Sequence, residues 1–358
     1  MKVGTLTLPL HVNYGAVLQA FALHKALEKA GHEPILLDIR SSIYKRNDFL
    51  SCLSFIKSTA SRFKKNEPEY GNILFEDFIN RTLNKTTRIR FYFQLNRFLK
   101  YDAYVVGSDQ VWRSEFALNI ELFYLDFVKK GSLKLSYAAS FGKAEWTYNP
   151  EQTNNCRRLL RKFDAVSVRE ESGKNLVKSK LYGEAIHVLD PTMIIDLDEY
   201  NKLIEEKSDS LFGVDDVFCY VLDLNTEKQR LISSFCSHKS LNGVICNEGK
   251  TDKDKISIEN WLQGIRDSEF VITDSFHGMV FCILFEKEFV VLANNKRGYE
   301  RFSSLLGQLG ILERLLDESL LDNFSIESMH QIDYKKVNCK LDEMKKLSIT
   351  FLQKNLTK

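Results

Sequence analysis

The sequence predicts an α/β protein of two doubly wound, Rossmann-like domains facing each other across a cleft. Three observations carry this. At 358 residues the chain exceeds what one hydrophobic core usually organises. Short β-prone runs alternate with segments of helical period in both halves. The first strand, helix and strand follow one another so closely that they form a βαβ unit, which implies a parallel sheet with a right-handed crossover.

The elements follow in order. Lys2 to Leu6 is a short β-prone run, interrupted by Asn13-Tyr14-Gly15. Ala16 to Ala30 places Val17, Leu18, Phe21, Ala22 and Leu27 at helical spacing, and Gly31 stops that helix. Pro34 to Ile39 is the second strand. Residues 41 to 100 are less regular, with a helix over Gly71 to Asn80. Arg88 to Lys100 interleaves basic and aromatic residues; it is either a solvated helix face or a peripheral contact with a membrane surface or an anionic acceptor. Tyr104 to Val106, Lys134 to Ala138, Ala165 to Val168 and Ile186 to Leu189 are strands; Asn154 to Lys162 and Glu170 to Lys178 are helices. Asp190-Pro191-Thr192 then breaks the chain. The expected domains are 1–192, 193–333, and a terminal amphipathic helix, 334–358, packing back across the junction. In the second half, Val217 to Leu222, Leu241 to Cys246, Phe270 to Thr273 and Phe289 to Leu292 are strands. Ile258 to Asp267, Met279 to Phe285 and Arg301 to Leu309 are helices.

Composition narrows the class. The hydrophobic share is 44% and the charged share 27%, as in globular proteins. A net charge of +2 gives no global basic field for nucleic acid. The seven cysteines are scattered without C-x-x-C spacing, which argues against a disulfide framework or zinc site, and no His/Asp/Glu cluster has metal-ligand spacing. No signal-like leader and no apolar run of ~20 residues is seen. The expectation is a cytoplasmic protein, at most resting on the inner face of the membrane, without a metal.

In such folds ligands bind beyond the carboxyl ends of the strands, so four loops carry the chemistry. Asn13-Tyr14-Gly15 precedes a helix whose first N–H groups suit an anion, although a plain tight turn explains it equally. No G-x-G-x-x-G occurs, which counts against a dinucleotide cofactor. Gly107 to Trp112 offers Ser108, a carboxylate at Asp109 for a sugar hydroxyl and an indole at Trp112 for a sugar face; Trp112 in the core is the plainer alternative. Arg169 stands where a strand turns into a helix, as a clamp for carboxylate or phosphate or as a salt bridge with Glu170 or Asp190. Thr273 to Gly278 puts His277 at a helix N-terminus among Asp274, Ser275 and Gly278. Arg297, Tyr299 and Arg301 follow the next strand end and can close on a phosphate.

These loops resemble those of polysaccharide pyruvyl transferases. The similarity lies in Asn13 to Ala20 (NYGAVLQA), Gly107 to Trp112 (GSDQVW), Ser167 to Ser172 (SVREES), Leu189 to Thr192 (LDPT) and Thr273 to Gly278 (TDSFHG), in order over roughly residues 1 to 315. The resemblance implies a glycosyltransferase-B-like fold. It implies transfer of a pyruvyl group from phosphoenolpyruvate to a sugar or lipid-linked oligosaccharide, forming a pyruvate ketal in a capsular, exopolysaccharide or cell-wall precursor. It implies His277 and Asp109 as catalytic groups, and Arg169, Ser275, Gly278, Arg297 and Arg301 on the donor. Asn13, Tyr14, Gly15, Ser108 and Trp112 then fall to the acceptor. In the family an Arg-x-His motif engages the donor; here Ser275 stands at the Arg position. Either Arg169 with Arg297 or Arg301 supplies that charge, or this branch uses another donor. The rival functions are a sugar-nucleotide glycosyltransferase on the same fold and a non-catalytic glycan-precursor-binding protein.

Overall fold

The computed structural model describes residues 1–40, 69–90, 92–98, 100–117, 119–206, 211–246, 256–292, 298–317 and 329–357. They form two compact units, Met1–Ile194 with Leu347–Lys358, and Ile195–Lys346.

The first unit is built on a six-stranded parallel sheet. Its strands are β1 (Lys2–Leu6), β2 (Glu33–Leu36), β3 (Ala103–Gly107), β4 (Leu133–Ala139), β5 (Ala165–Val168) and β6 (Ile186–His187), in spatial order β2-β1-β3-β4-β5-β6. The order reverses between β1 and β3, so the loops leaving these two strands diverge to opposite sides and open a crevice at their carboxyl ends. Helices α1 (Tyr14–Lys29), α2 (Ile73–Thr82), α3 (Pro150–Leu160) and α4 (Glu171–Leu176) complete the unit, and α4 runs on into a π-turn over Val177–Leu181.

Two of the helix starts that differ from the expectation do so for one reason, an asparagine cap. The Asn13 side chain accepts from the Ala16 N–H, so α1 begins at Tyr14 and takes up Gly15 as well. Asn149 and Gln152 form a reciprocal capping box with Pro150 in the first turn, which starts α3 four residues ahead of its apolar pattern.

The second unit carries a five-stranded parallel sheet: β7 (Asp216–Tyr220), β8 (Asn242–Ile245), β9 (Phe270–Thr273), β10 (Glu288–Leu292) and β11 (Leu315–Leu316), ordered β11-β10-β9-β7-β8. Its order reverses between β7 and β9. Helices α5 (Leu197–Glu205), α6 (Thr226–Lys239), α7 (Ile258–Asp267), α8 (Phe276–Leu284) and α9 (Tyr299–Leu309) accompany it. The long α10 (Tyr334–Asn355) starts in the second unit, and its last residues belong to the first. There Ser348 Oγ accepts from the Leu189 N–H at 2.9 Å, and Phe351 packs on Tyr137.

Each unit has its own core. That of the first gathers Leu6, Tyr104, Val106, Trp112, Tyr124 and Phe141; that of the second gathers Val217, Ile232, Phe235, Ile272 and Val290. Burying a large apolar side chain contributes ~1.5–3 kcal/mol, so these clusters hold both sheets before any polar contact is counted. No helix among the described residues is long and apolar enough to cross a membrane.

Candidate functional site

The first candidate constellation lies at the carboxyl ends of β1, β3, β4 and β5. Asp190 is its buried hub. Its Oδ2 accepts from Ser108 Oγ at 2.7 Å and from an Arg169 terminal nitrogen at 2.7 Å. Its Oδ1 accepts from the Thr192 N–H and hydroxyl at 3.0 and 2.7 Å. The other terminal nitrogen of Arg169 lies 3.8 Å from Asp109 Oδ1. Burial pushes the Arg169 pKa down, but Asp190, Glu170 and Asp109 outweigh it and raise it, so the guanidinium stays charged. Beside it, Glu170 Oε1 accepts from Ser140 Oγ at 2.5 Å and from the Gly142 N–H at 3.1 Å. On the β1 side, Gln19 Nε2 donates to Thr7 Oγ1 at 3.0 Å.

Within this cluster Asp109 differs from Arg169 and Asp190. Its side chain is 17% exposed, against 2% and 0% for theirs. Its backbone is left-handed, with φ 62°, a costly state for a residue with a Cβ. The chain on both sides holds it there: the Ser140 N–H donates to the Asp109 carbonyl, and the Trp112 N–H to the Ser140 carbonyl. Asp109 is thus the one partly exposed carboxylate of this network, beside the buried Asp190 and Glu170.

Several expected acceptor contacts fall elsewhere. Trp112 is fully buried, stacked on Tyr124 at 4.9 Å, and its indole N–H donates to the Phe123 carbonyl at 3.0 Å. No ring face is open to a sugar. Tyr14 is likewise buried, against Phe75. Gly15 is buried in the first turn of α1, Asn13 caps that helix, and the Ser108 hydroxyl is buried on Asp190. Arg169 is not an open clamp either. Its side chain is buried and committed to Asp190, so it takes the salt-bridge alternative and tethers Asp109.

The second constellation sits where the strand order of the other sheet reverses. Ser275 caps α8, its hydroxyl accepting from the Gly278 N–H at 3.3 Å. This puts His277 in the first turn, where backbone N–H groups and the helix dipole favour an anion. Thr273 Oγ1 donates to the Tyr220 carbonyl at 2.7 Å and accepts from the Ser275 N–H at 3.0 Å. A Cβ at position 278 would stand 2.5 Å from that oxygen, so only glycine lets the helix approach the strand this closely. Phe276 joins two expected donor groups: its ring lies 5.3 Å from that of His277 and 5.2 Å from the Arg301 guanidinium. Arg297 lies outside the described residues.

Asp274, read from the sequence only as a neighbour of His277, and Lys228, which was not singled out, complete the second constellation. Asp274 accepts from the Leu222 and Asp223 N–H groups at 2.6 and 3.0 Å, and from Lys228 Nζ at 3.1 Å, with both side chains fully buried. Asp274 is part of the His277 motif, but its cation lies 46 positions earlier, a separation with no local signature. No cluster of three metal-ligating side chains occurs among the described residues.

Residues 13–296 match the family model described as polysaccharide pyruvyl transferase. The chain belongs to the polysaccharide pyruvyl transferase family. Family membership makes this protein a transferase, and the match takes in both constellations apart from Thr7 and Arg301. Similar solved structures include the S. aureus MnaA–UDP co-structure, with 12% identity, 96% of this chain and 87% of that one covered, and a TM-score of 0.49. Another is the Methanocaldococcus jannaschii UDP-GlcNAc 2-epimerase bound to UDP-GlcNAc and UDP, with 10% identity, coverages of 96% and 92%, and a TM-score of 0.48. The spinosyn rhamnosyltransferase SpnG complexed with thymidine diphosphate shows 11% identity, coverages of 99% and 94%, and a TM-score of 0.44. A search of curated proteins finds no match. At the position that the resemblance gives to a motif arginine stands a helix cap, Ser275, and the Arg301 guanidinium lies over the ring of the next residue, Phe276.

Proposed function

We propose that this pyruvyl transferase moves the pyruvyl group of phosphoenolpyruvate onto two hydroxyls of a sugar in a polysaccharide or cell-surface glycan precursor, forming a pyruvate ketal. The observation that carries this reading is the grouping of His277 and Arg301 around Phe276 at the N-terminus of α8. A compact anion with carboxylate and phosphate groups suits a helix N-terminus and a guanidinium. The donor-binding residues are Ser275, Gly278 and Arg301, with Arg297 as a further candidate on the same segment.

The chemistry then assigns roles. His277 protonates the methylene carbon of phosphoenolpyruvate, which makes C2 electrophilic. One sugar hydroxyl adds to C2, phosphate leaves, and the second hydroxyl closes the ketal. Of the two hydroxyl protons, one balances the new methyl group and the other the released phosphate. Asp109, the partly exposed carboxylate of the first constellation, accepts a hydroxyl proton.

The test is a thermal-shift comparison of phosphoenolpyruvate with a panel of sugar nucleotides, followed by turnover of His277→Gln. A donor at 100 times its Kd adds about 2.7 kcal/mol of stability. The variant is expected to keep donor binding and to lose ~10²–10⁴-fold in turnover, because an amide donates a hydrogen bond but no proton. Stabilisation by a sugar nucleotide alone, or near-normal turnover in His277→Gln, overturns the assignment.

A further inference from the structure

We infer that the buried Asp274–Lys228 pair is a positioning device. It fixes the His277 loop by tying it to the loop leaving β7, across the point where the strand order of the second sheet reverses. The catalytic part of this inference rests on the function proposed above; the mechanical part does not.

The geometry is specific. Asp274 is the first residue after β9 and lies three positions before His277. Its two oxygens point away from its own helix and into the neighbouring loop. Oδ1 takes the Leu222 N–H at 2.6 Å, and Oδ2 takes the Asp223 N–H at 3.0 Å. Lys228, in the first turn of α6, donates to the same Oδ2 at 3.1 Å and to the Asp223 carbonyl at 3.1 Å. The Asn225 side chain caps α6 through the Lys228 N–H at 2.8 Å, which fixes where the lysine enters. One carboxylate therefore binds two successive backbone amides and a cation, and that cation binds the same loop again.

A charge pair this dry is poor value as stability alone. Desolvating both ions offsets most of their attraction, and an apolar pair of similar volume often does as well. What the pair supplies is direction. Two amides and an ammonium converging on one carboxylate allow few orientations of the Asp274 backbone. The Ser275 cap and the close Thr273–Gly278 contact carry that orientation forward to His277. Asp274 and Lys228 have fully buried side chains that are bonded to the neighbouring loop and to each other. They act through the loop.

The test compares wild type, Asp274→Asn, Lys228→Met and the double variant, all as full chains. Hydrogen exchange without any ligand comes first. The expected result is at least tenfold faster exchange in the peptides covering 221–226 and 274–280 in each single variant, with the first unit unchanged. Steady-state kinetics follow. The expected result is a rise of tenfold or more in KM for phosphoenolpyruvate, an unchanged KM for the sugar acceptor, and a double variant no worse than either single one. A purely structural role lowers the active fraction and scales Vmax while leaving both KM values in place. If Asp274→Asn leaves the 274–280 peptide as protected as in wild type, or frees it without changing donor kinetics, the positioning role is wrong. If wild type itself neither binds nor consumes phosphoenolpyruvate, the proposed function fails, while hydrogen exchange still decides whether the pair holds the loop.

Discussion

Replacing His24 by Gln should flatten the acid limb of stability in the first unit. His24 lies in α1, buried, with its Nε2 2.8 Å from Thr5 Oγ1 on β1. Burial, and secondarily the charge of Lys25, lowers its pKa from 6.5 to about 3. The folded state therefore favours the neutral ring. The contribution is fully present above pH 6.5, is lost as the pH falls, and is gone below about 3. At pH 5 the gap to the unfolded value is about 1.5 pKa units, which at 1.36 kcal/mol per unit is about 2 kcal/mol. The full span of about 3.5 units amounts to about 5 kcal/mol. Burial also lowers the pKa of His187, in the same direction, whereas it raises that of Asp38, which works in the opposite sense. The informative quantity is thus the difference between variant and wild type. Urea unfolding at pH 7 and pH 5 measures it, followed by tryptophan fluorescence in a Trp261→Phe background, where Trp112 and Trp146 report the first unit. Wild type should lose about 2 kcal/mol more than His24→Gln between the two pH values. Equal losses would refute the assignment of His24 as a neutral, buried group.

Two further outcomes follow from the site geometry. Gly278→Ala should destabilise the second unit by ~1–3 kcal/mol, because its Cβ meets a Thr273 hydroxyl already bonded on both sides. Thr273→Ala should recover part of that loss in urea unfolding, and strictly additive losses would contradict the clash. Arg169→Met should cost ~3–5 kcal/mol by leaving Asp190 buried without its cation. A loss under about 1 kcal/mol in urea unfolding would show that Ser108 and Thr192 alone satisfy Asp190.

The parallel sheets were legible because strand and helix periods alternate along the chain. Their branching order adds the detail that in each sheet the first strand lies between the second and the third, so the direction of winding reverses there. The placement of His277 was legible too, since Ser275 and Gly278 are local signals for a strand-to-helix turn. What escaped was long-range. Trp112, three positions after Asp109, looks like a sugar platform until Tyr124, twelve positions on, stacks against it. Arg169 is open or closed according to Asp190, which the Leu-Asp-Pro-Thr segment delivers 21 positions later. Lys228 carries no mark in its own neighbourhood that distinguishes it from a surface lysine. The helices α5 and α6 were missed for different reasons: α5 is a short amphipathic stretch, with Tyr200, Leu203 and Ile204 buried, close behind the Asp190 break, whereas α6 has a weak apolar pattern and its start is set by the Asn225 cap. Local patterns fix elements and caps, whereas burial of a charged group depends on a partner that the topology brings from afar.

The account turns on the donor, and one measurement addresses it directly. Phosphoenolpyruvate labelled with carbon-13 at C2 is incubated with wild-type protein and a panel of sugar and lipid-linked acceptors, and phosphate release and label are followed together. The account predicts phosphate release that depends on an acceptor, with an equimolar amount of label in that acceptor as a ketal carbon, and loss of both signals in His277→Gln. Unconsumed phosphoenolpyruvate alongside nucleoside diphosphate release from a sugar nucleotide would contradict it.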